Sequence, residues 1–404
     1  MKSGNVKGYL KKQKLWEKQT DQFITRCFLP VTFAATGFSN QITSENEIHK
    51  YAGGLHFLEA KELENILGYV TADEMFLLIE AIKKISKIDK KYKNKYWKNE
   101  KADVSSIVCI PALVRSLVPL RVLRKLQPIP LENDFIMDLG AGSGYFSLLA
   151  KLAGYNVIAT DITSGYFCFQ TFLFRNMFGS DYNLIEFGKT CKQSKRGTIN
   201  HIPVWEWCSK KFELDKKISC IFANHMLNEM HRHSLLFFLE LVEKSNVLNS
   251  LISVEGWGYG SRTNIKHLEQ TKKIFKYYGY KSKDYYLPEG GHEMNILTKE
   301  SHKHVENIAG LTNSVKDDEV RICGGAILEE SLEKLDILEK LKVHVDSQQE
   351  EGALKPEDVL SQLIAEFNKE SDYRRNDEEF IKSLGVASDH NRMFITELQK
   401  GYFI

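Results

Sequence analysis

The sequence predicts an α/β protein built on a doubly wound, mostly parallel sheet. Residues 134–161 combine a short apolar run, a glycine-rich turn, apolar residues at helical spacing and a second apolar run. Strand, turn, helix and strand in this order form a βαβ unit, whose crossover is almost always right-handed. Further buried-strand patterns at 218–223 and 251–254 extend the same sheet.

The first part of the chain, residues 1–130, is predicted to be a helical N-terminal extension. A helical pattern runs over 66–88, where Thr71 is placed to cap a second segment. Lysines with interleaved aromatic residues crowd 83–101, which fits a patch for nucleic acid or an anionic membrane surface, or else a solvated helix face. The absence of arginine from this stretch and the intervening acids Asp89 and Glu100 favour the solvated face. Residues 104–126 form another helical stretch, interrupted by two prolines.

The glycine turn after the first strand predicts a ligand-binding loop. Gly140, Gly142 and Gly144 allow a sharp turn and a close approach of a ligand to the backbone. The helix that follows directs its free N–H groups and positive dipole end to the same place. Asp161, at the carboxyl end of the second strand, is placed to accept hydrogen bonds from a ribose diol.

Dinucleotides are the first of two ligand classes that fit this loop, but the glycine spacing and Asp138 argue against them. The dinucleotide fingerprint G-x-G-x-x-G/A is not matched, because the third glycine is one position early and Tyr145 replaces the last small residue. A carboxylate at 138 would repel a pyrophosphate but suits the ammonium and sulfonium groups of S-adenosylmethionine. The run DLGAGSG at 138–144 resembles the first motif of the class I S-adenosylmethionine-dependent methyltransferases, and Asp161 resembles their ribose-binding acid.

This resemblance implies a seven-stranded sheet, a lid formed by residues 90–126, and S-adenosyl-L-methionine as cofactor. It also implies that Ile162 touches adenine, and that Trp205 and Trp207 either stack on adenine or belong to the core. The expected cofactor-binding residues are Asp138, Gly140, Ala141, Gly142, Gly144, Asp161, Ile162, Glu206, Trp207 and Asn224.

Residues 131–300 form the predicted methyltransferase core. A helix is expected over 166–177, and the polar stretch 179–200 is expected to be an insertion or loop. Later strands are expected at 201–204, 218–223, 251–254, 280–287 and 292–298, the last two as a terminal hairpin.

A polar burst follows the strand at 218–223, where a doubly wound sheet binds ligands. His225 and Glu229 are therefore the candidate catalytic bases for an acceptor hydroxyl. The Asn/Asp-Pro-Pro-aromatic tetrapeptide of amine-directed relatives is absent here. The pattern N-x-x-x-N-E-M at 224–230 is weakly similar to the same segment of sugar O-methyltransferases.

The same segment also invites a metal hypothesis, since His225, Glu229 and His233 follow one another at a spacing of four, with His231 between them. Neither H-x-x-x-H nor a second nearby carboxylate is present, so no metal site is predicted.

The last part, residues 301–404, is predicted to be an acidic helical C-terminal extension, which serves as a local cap or as a surface for dimerisation or a partner. Residues 316–404 carry 12 Lys+Arg against 21 Asp+Glu, whereas residues 1–130 carry 22 against 13. The two ends are expected either to pack against each other or to face separate partners.

Composition indicates a cytoplasmic protein, with export by an unrecognised signal as the alternative. The 7 cysteines are scattered without C-x-x-C spacing, and neither a secretory signal nor an apolar run long enough to cross a membrane is recognised.

Together these observations predict a methyltransferase for a small-molecule hydroxyl, with a sugar-like acceptor favoured. The alternatives are a protein-lysine or RNA methyltransferase, which the basic segment favours, and a non-catalytic donor-binding scaffold.

Overall fold

The structure is a computed structural model. It describes residues 6–19, 48, 51, 66–96, 107, 109–161, 163–186, 190–207, 217–224, 227, 236, 238–240, 242–243, 251–253, 272–287, 292–299, 312–313, 354–355, 358–359, 362–363 and 365–366.

The helices are α1 (Val6–Gln19), α2 (Ala72–Tyr96), α3 (Ile110–Arg115), α4 (Leu117–Leu126), α5 (Tyr145–Leu152), α6 (Ser164–Phe178) and α7 (Val204–Trp207). The strands are β1 (Asp134–Leu139), β2 (Asn156–Thr160), β3 (Tyr182–Leu184), β4 (Thr198–His201), β5 (Lys217–Phe222), β6 (Leu251–Ser253), β7 (Tyr280–Leu287), β8 (His292–Lys299) and β9 (Thr312–Asn313).

Within the described residues the strands form one sheet in the order β3-β4-β2-β1-β5-β6-β8-β7-β9. All pairs from β3 to β6 are parallel, and β8 runs antiparallel to both β6 and β7. The prediction of a mostly parallel α/β sheet with a terminal hairpin is confirmed. In the part of the chain that the structure describes, the sheet has nine strands where seven are predicted, because β3 and β9 are added at its two edges.

Strand β1 is the topological switch point of the sheet. It pairs with β2 on one side and β5 on the other, so the chain leaves it in opposite directions. Both faces of β1 are buried: Ile136 packs in one apolar core, and Phe135 and Met137 pack in the other. Ligands of doubly wound sheets bind outside the carboxyl ends of the strands at such a point, where residues 140–144 emerge.

The region predicted as a loop at 179–200 contains β3 and the start of β4. The third core strand is Thr198–His201, so the predicted strand at 201–204 was placed three residues too late. These strands carry buried polar residues in place of an apolar run. Their burial is possible because hydrogen bonds satisfy the polar groups. Asn200 accepts from Asn183 Nδ2 at 3.0 Å and from the Lys192 N–H at 2.7 Å.

The N-terminal region packs its helices on α5 and α6. Thr71 and Glu74 form the expected cap: each side chain accepts from the other's backbone N–H, at 3.3 and 3.2 Å. Glu74 also binds the buried Arg121 guanidinium through two contacts of 2.8 Å. No described helix is both long and apolar enough to cross a bilayer.

The acidic C-terminal region contacts the basic N-terminal region. The Leu354 N–H donates to the Val70 carbonyl at 2.9 Å, and Leu363 is fully buried in the same core as α2. Lys83 lies 3.9 Å from Glu366. Of the two expected arrangements for the charged ends, direct packing is observed in the described part of the tail. Most of residues 301–404, for which a local cap or a surface for dimerisation or a partner is predicted, lies outside the described residues.

Candidate functional site

The loop between β1 and α5 adopts a backbone that glycine favours. Gly140, Gly142 and Gly144 have φ of 67°, 55° and 76°, a region costly for residues with a Cβ. At Gly144 a Cβ would also lie 2.6 Å from Phe174 Cζ. The third glycine is therefore required by close packing of the loop on α6 as well as by its turn.

Asp161 is bound to the glycine loop. Its Oδ2 accepts the Gly142 N–H at 2.8 Å, and its Oδ1 accepts the Thr163 N–H at 2.8 Å. Burial raises the pKa of Asp161 to about 7, against the lowering effect of these hydrogen bonds. The side chains of Thr163 and Gln170 also hydrogen-bond this carboxylate, so groups of the protein itself already occupy its acceptor positions.

Asp138 lies on the other side of the loop, at the penultimate position of β1. Its Oδ2 accepts the Ser147 hydroxyl of α5 at 2.6 Å. Burial and, to a smaller extent, the nearby charge of Asp161 raise the pKa of Asp138 to about 7, against the lowering effect of the hydrogen bonds from Ser147. The two acids thus flank one loop, and within the described residues neither forms an ion pair with a lysine or arginine.

Two buried polar side chains, Gln170 of α6 and His201 of β4, support the loop through hydrogen bonds that the sequence did not reveal. Gln170 Nε2 donates to the Gly142 carbonyl at 2.5 Å, and Gln170 also hydrogen-bonds the Asp161 carboxylate. Gln170 Oε1 lies 2.8 Å from His201 Nε2. Both side chains are completely buried. A single Gln in the apolar helix 164–178 and a His after Asn200 gave no motif from which to predict their pairing.

Tyr145, which breaks the dinucleotide fingerprint, connects the loop to the region before β1. Its hydroxyl donates to the Ile107 carbonyl at 3.1 Å and accepts the Cys109 N–H at 3.3 Å. The Ile107 N–H donates to Asp89 Oδ1 of α2 at 2.8 Å. Part of the predicted lid, residues 90–126, is therefore attached to the first residue of α5.

The structure places some of the other predicted cofactor-binding residues. Glu206 lies half-buried in α7, and Trp207 is the last residue of α7, with its side chain outside the described part. Asn224 follows β5, and its buried Oδ1 has no hydrogen-bond partner among the described residues. Ile162 lies outside the described residues, whereas Ala141 lies in the loop and its N–H donates to the Thr160 carbonyl at 3.1 Å.

Trp205 packs against the N-terminal region. Its ring lies 4.8 Å from Tyr9 of α1 and 6.4 Å from Phe167, measured between ring centroids. Of the two interpretations of Trp205, these contacts favour the core.

The catalytic candidates His225 and Glu229 lie outside the described residues, as do His231 and His233. No group of three or more His, Cys, Asp or Glu side chains suited to a metal ion occurs within the described ranges.

Comparisons with known proteins give structural matches alone. No protein-family model and no curated protein matches the chain. Similar solved structures include the methyltransferase domain of bacterial CtHen1-C, at 16% identity over 46% of this chain and 98% of that one, with a TM-score of 0.32. Another is magnesium protoporphyrin IX methyltransferase of Synechocystis PCC 6803 with bound SAM, at 12% identity over 53% and 96%, with a TM-score of 0.32.

A third similar structure is MtNAS in complex with MTA and tNA, at 14% identity over 69% of this chain and 97% of that one, with a TM-score of 0.31. Two of these three neighbours are methyltransferases by name, and one of them holds bound SAM.

Proposed function

We propose that this chain binds S-adenosyl-L-methionine and transfers its methyl group, with a hydroxyl of a sugar-like small molecule as the favoured acceptor. One observation carries the proposal: two buried carboxylates, Asp138 and Asp161, flank a left-handed glycine loop at the switch point of the sheet. The sequence resemblance to the class I methyltransferases supports it.

The residues present fit this cofactor. The ammonium and sulfonium groups would compensate a pair of carboxylates that otherwise repel each other, and a ribose hydroxyl would donate to Asp161 in place of the Thr163 side chain. Asn224 Oδ1, which has no hydrogen-bond partner among the described residues, is a further acceptor just after the carboxyl end of β5. A pyrophosphate would instead add negative charge beside two acids.

When bound, the cofactor supplies an electrophilic methyl group, which leaves sulfur as it bonds to the acceptor oxygen. The protein must then hold the acceptor in line, exclude water and accept the hydroxyl proton. We propose His225 or Glu229 for the proton, because the segment that carries them follows β5 directly, and β5 pairs with β1 beside the glycine loop. Protein lysine and RNA are retained as alternative acceptors.

Calorimetric titration of the full chain with S-adenosylmethionine and S-adenosylhomocysteine tests the donor site. Binding that is lost in Asp138→Asn but kept in the exposed control Asp358→Asn supports the site. Failure of the wild-type chain to bind either molecule contradicts the proposal.

Incubation with radiolabelled donor and fractionated lysate then tests the acceptor. Label in the small-molecule fraction supports the favoured acceptor, and label confined to protein or RNA rejects it in favour of a macromolecule. Donor binding without transfer in any fraction indicates the non-catalytic scaffold.

If label is transferred, His225→Ala and Glu229→Gln should lower turnover with little change in donor affinity. If both turn over normally, neither is the base.

A further inference from the structure

The glycine loop is held from below by side chains that are too deeply buried to meet a substrate. Gln170 and His201 have no exposed surface, yet both are polar. Burying an amide and an imidazole is costly unless their hydrogen bonds are made. The hydrogen-bond partners of the Gln170 amide and the His201 ring therefore show which atoms each side chain holds in place.

The orientation of the Gln170 amide follows from its partners. The Gly142 carbonyl and the Asp161 carboxylate accept hydrogen bonds, so the amide nitrogen must face them. The amide oxygen then faces His201 Nε2, and this ring nitrogen must carry the proton. A reversed amide would direct its oxygen at two other acceptors.

The tautomer of His201 is fixed from its other side. Nδ1 lies 3.3 Å from the hydroxyls of both Thr171 and Tyr182. The Thr171 hydroxyl donates to the Phe167 carbonyl at 2.8 Å, which leaves Tyr182 as the donor to Nδ1. Phe167 stacks on the ring at 3.9 Å between centroids. Burial lowers the pKa of His201 to about 3, so the ring remains neutral.

We propose that Gln170 and His201 form a positioning pair, which fixes the Gly142 carbonyl and the Asp161 carboxylate in the geometry that the donor nucleoside requires. The proposal rests on the proposed function. It differs from a general packing role, because it requires a hydrogen-bond donor at the position of His201 Nε2. Both residues are fully buried, so they act on the bound nucleoside through Gly142 and Asp161.

The test measures S-adenosylhomocysteine affinity and melting temperature for the full-length wild type and for a matched pair of variants. His201→Gln retains a donor near Nε2, whereas His201→Leu removes it at similar volume. We expect His201→Leu to bind roughly tenfold more weakly, since a buried unpaired amide oxygen has a cost of that order. His201→Gln should bind close to the wild-type level at a comparable melting temperature.

Gln170→Met should weaken binding to a similar extent. The double variant Gln170→Met/His201→Leu should bind no more weakly than either single variant, because each substitution removes the same Gln170–His201 hydrogen bond. Tyr182→Phe is a milder variant if His201→Leu does not fold, and it should also weaken binding. Asn176→Ala is the control: Asn176 is exposed on α6, the helix that carries Gln170, and this variant should bind normally.

Equal affinity of His201→Leu and His201→Gln would overturn the positioning pair, as would additive losses in the double variant. Should both histidine variants fail to fold, wild-type affinity in Gln170→Met and Tyr182→Phe would overturn it equally. Absence of binding to the wild type would instead reject the proposed function.

Discussion

The Gly142 N–H donates to Asp161 Oδ2 at 2.8 Å across 19 positions of sequence. This bond makes the loop after β1 and the acid after β2 a single unit. A change at either residue is therefore transmitted to the other, and the unit can be tested by substitution.

Replacing Asp161 with Asn should disrupt that unit. An amide has one oxygen, so its NH2 group must face the N–H of Gly142 or of Thr163 and leave that donor unpaired. We expect S-adenosylhomocysteine affinity to fall by roughly 10- to 100-fold, from a cost of about 1–3 kcal/mol. Calorimetry measures the change, and unchanged affinity would remove Asp161 from the site.

Donor affinity should depend on pH. Burial raises the pKa of both Asp138 and Asp161 to about 7 in the ligand-free protein. A cationic donor favours the ionised carboxylates, so binding releases protons below that pH. Affinity should therefore fall as pH drops below about 7 and level off above it. Titrations of the wild type in buffers of different ionisation enthalpy detect this release; a flat profile would contradict the coupling.

Gly144→Ala should destabilise the protein more than Gly179→Ala. Both positions have positive φ, of 76° and 52°. A Cβ at 144 would meet Phe174 at 2.6 Å, whereas a Cβ at 179 meets nothing within 4 Å. Backbone strain of about 1–2 kcal/mol applies to both, so the difference between their free energies of unfolding in urea isolates the clash. Equal losses would show that α6 yields to the new methyl group.

Glu74→Gln should destabilise the N-terminal region far more than Asp73→Asn. Glu74 and Arg121 expose only 5% and 6% of their side chains, whereas Asp73 in its pair with Arg124 exposes 68%. Removing one buried partner leaves an uncompensated charge, at about 3–5 kcal/mol, against about 1 kcal/mol or less for an exposed pair. Denaturant unfolding measures both variants, and similar losses would show that water screens Arg121.

Leu363→Ala should destabilise the whole protein, although it lies far along the acidic tail. Its side chain is fully buried with residues of α2, so truncation removes about 2–5 kcal/mol. The neighbouring Gln362 is exposed, and Gln362→Ala should change the free energy of unfolding little. A Leu363→Ala variant with wild-type stability would show that this contact adds nothing to the fold.

Patterns that depend on neighbouring residues were predicted well. The βαβ unit, the helix at 164–178, the hairpin at 280–299 and the cap at Thr71 were all readable, because local spacing and capping chemistry specify them. Strand β4 was misplaced, since its buried Asn200 is satisfied by distant partners and resembles a surface residue in sequence.

The sequence by itself determined the loop, its two acids and the resemblance to a donor-binding family, because glycines that require positive φ and a carboxylate at a strand end are local features. Only the tertiary structure decided what supports that loop: the Gln170–His201 pair, the Tyr145 contact with residues 107–109, and the packing of 354–366 on the N-terminal helices. These contacts join residues far apart in sequence through single hydrogen bonds and buried side chains, for which no spacing rule exists.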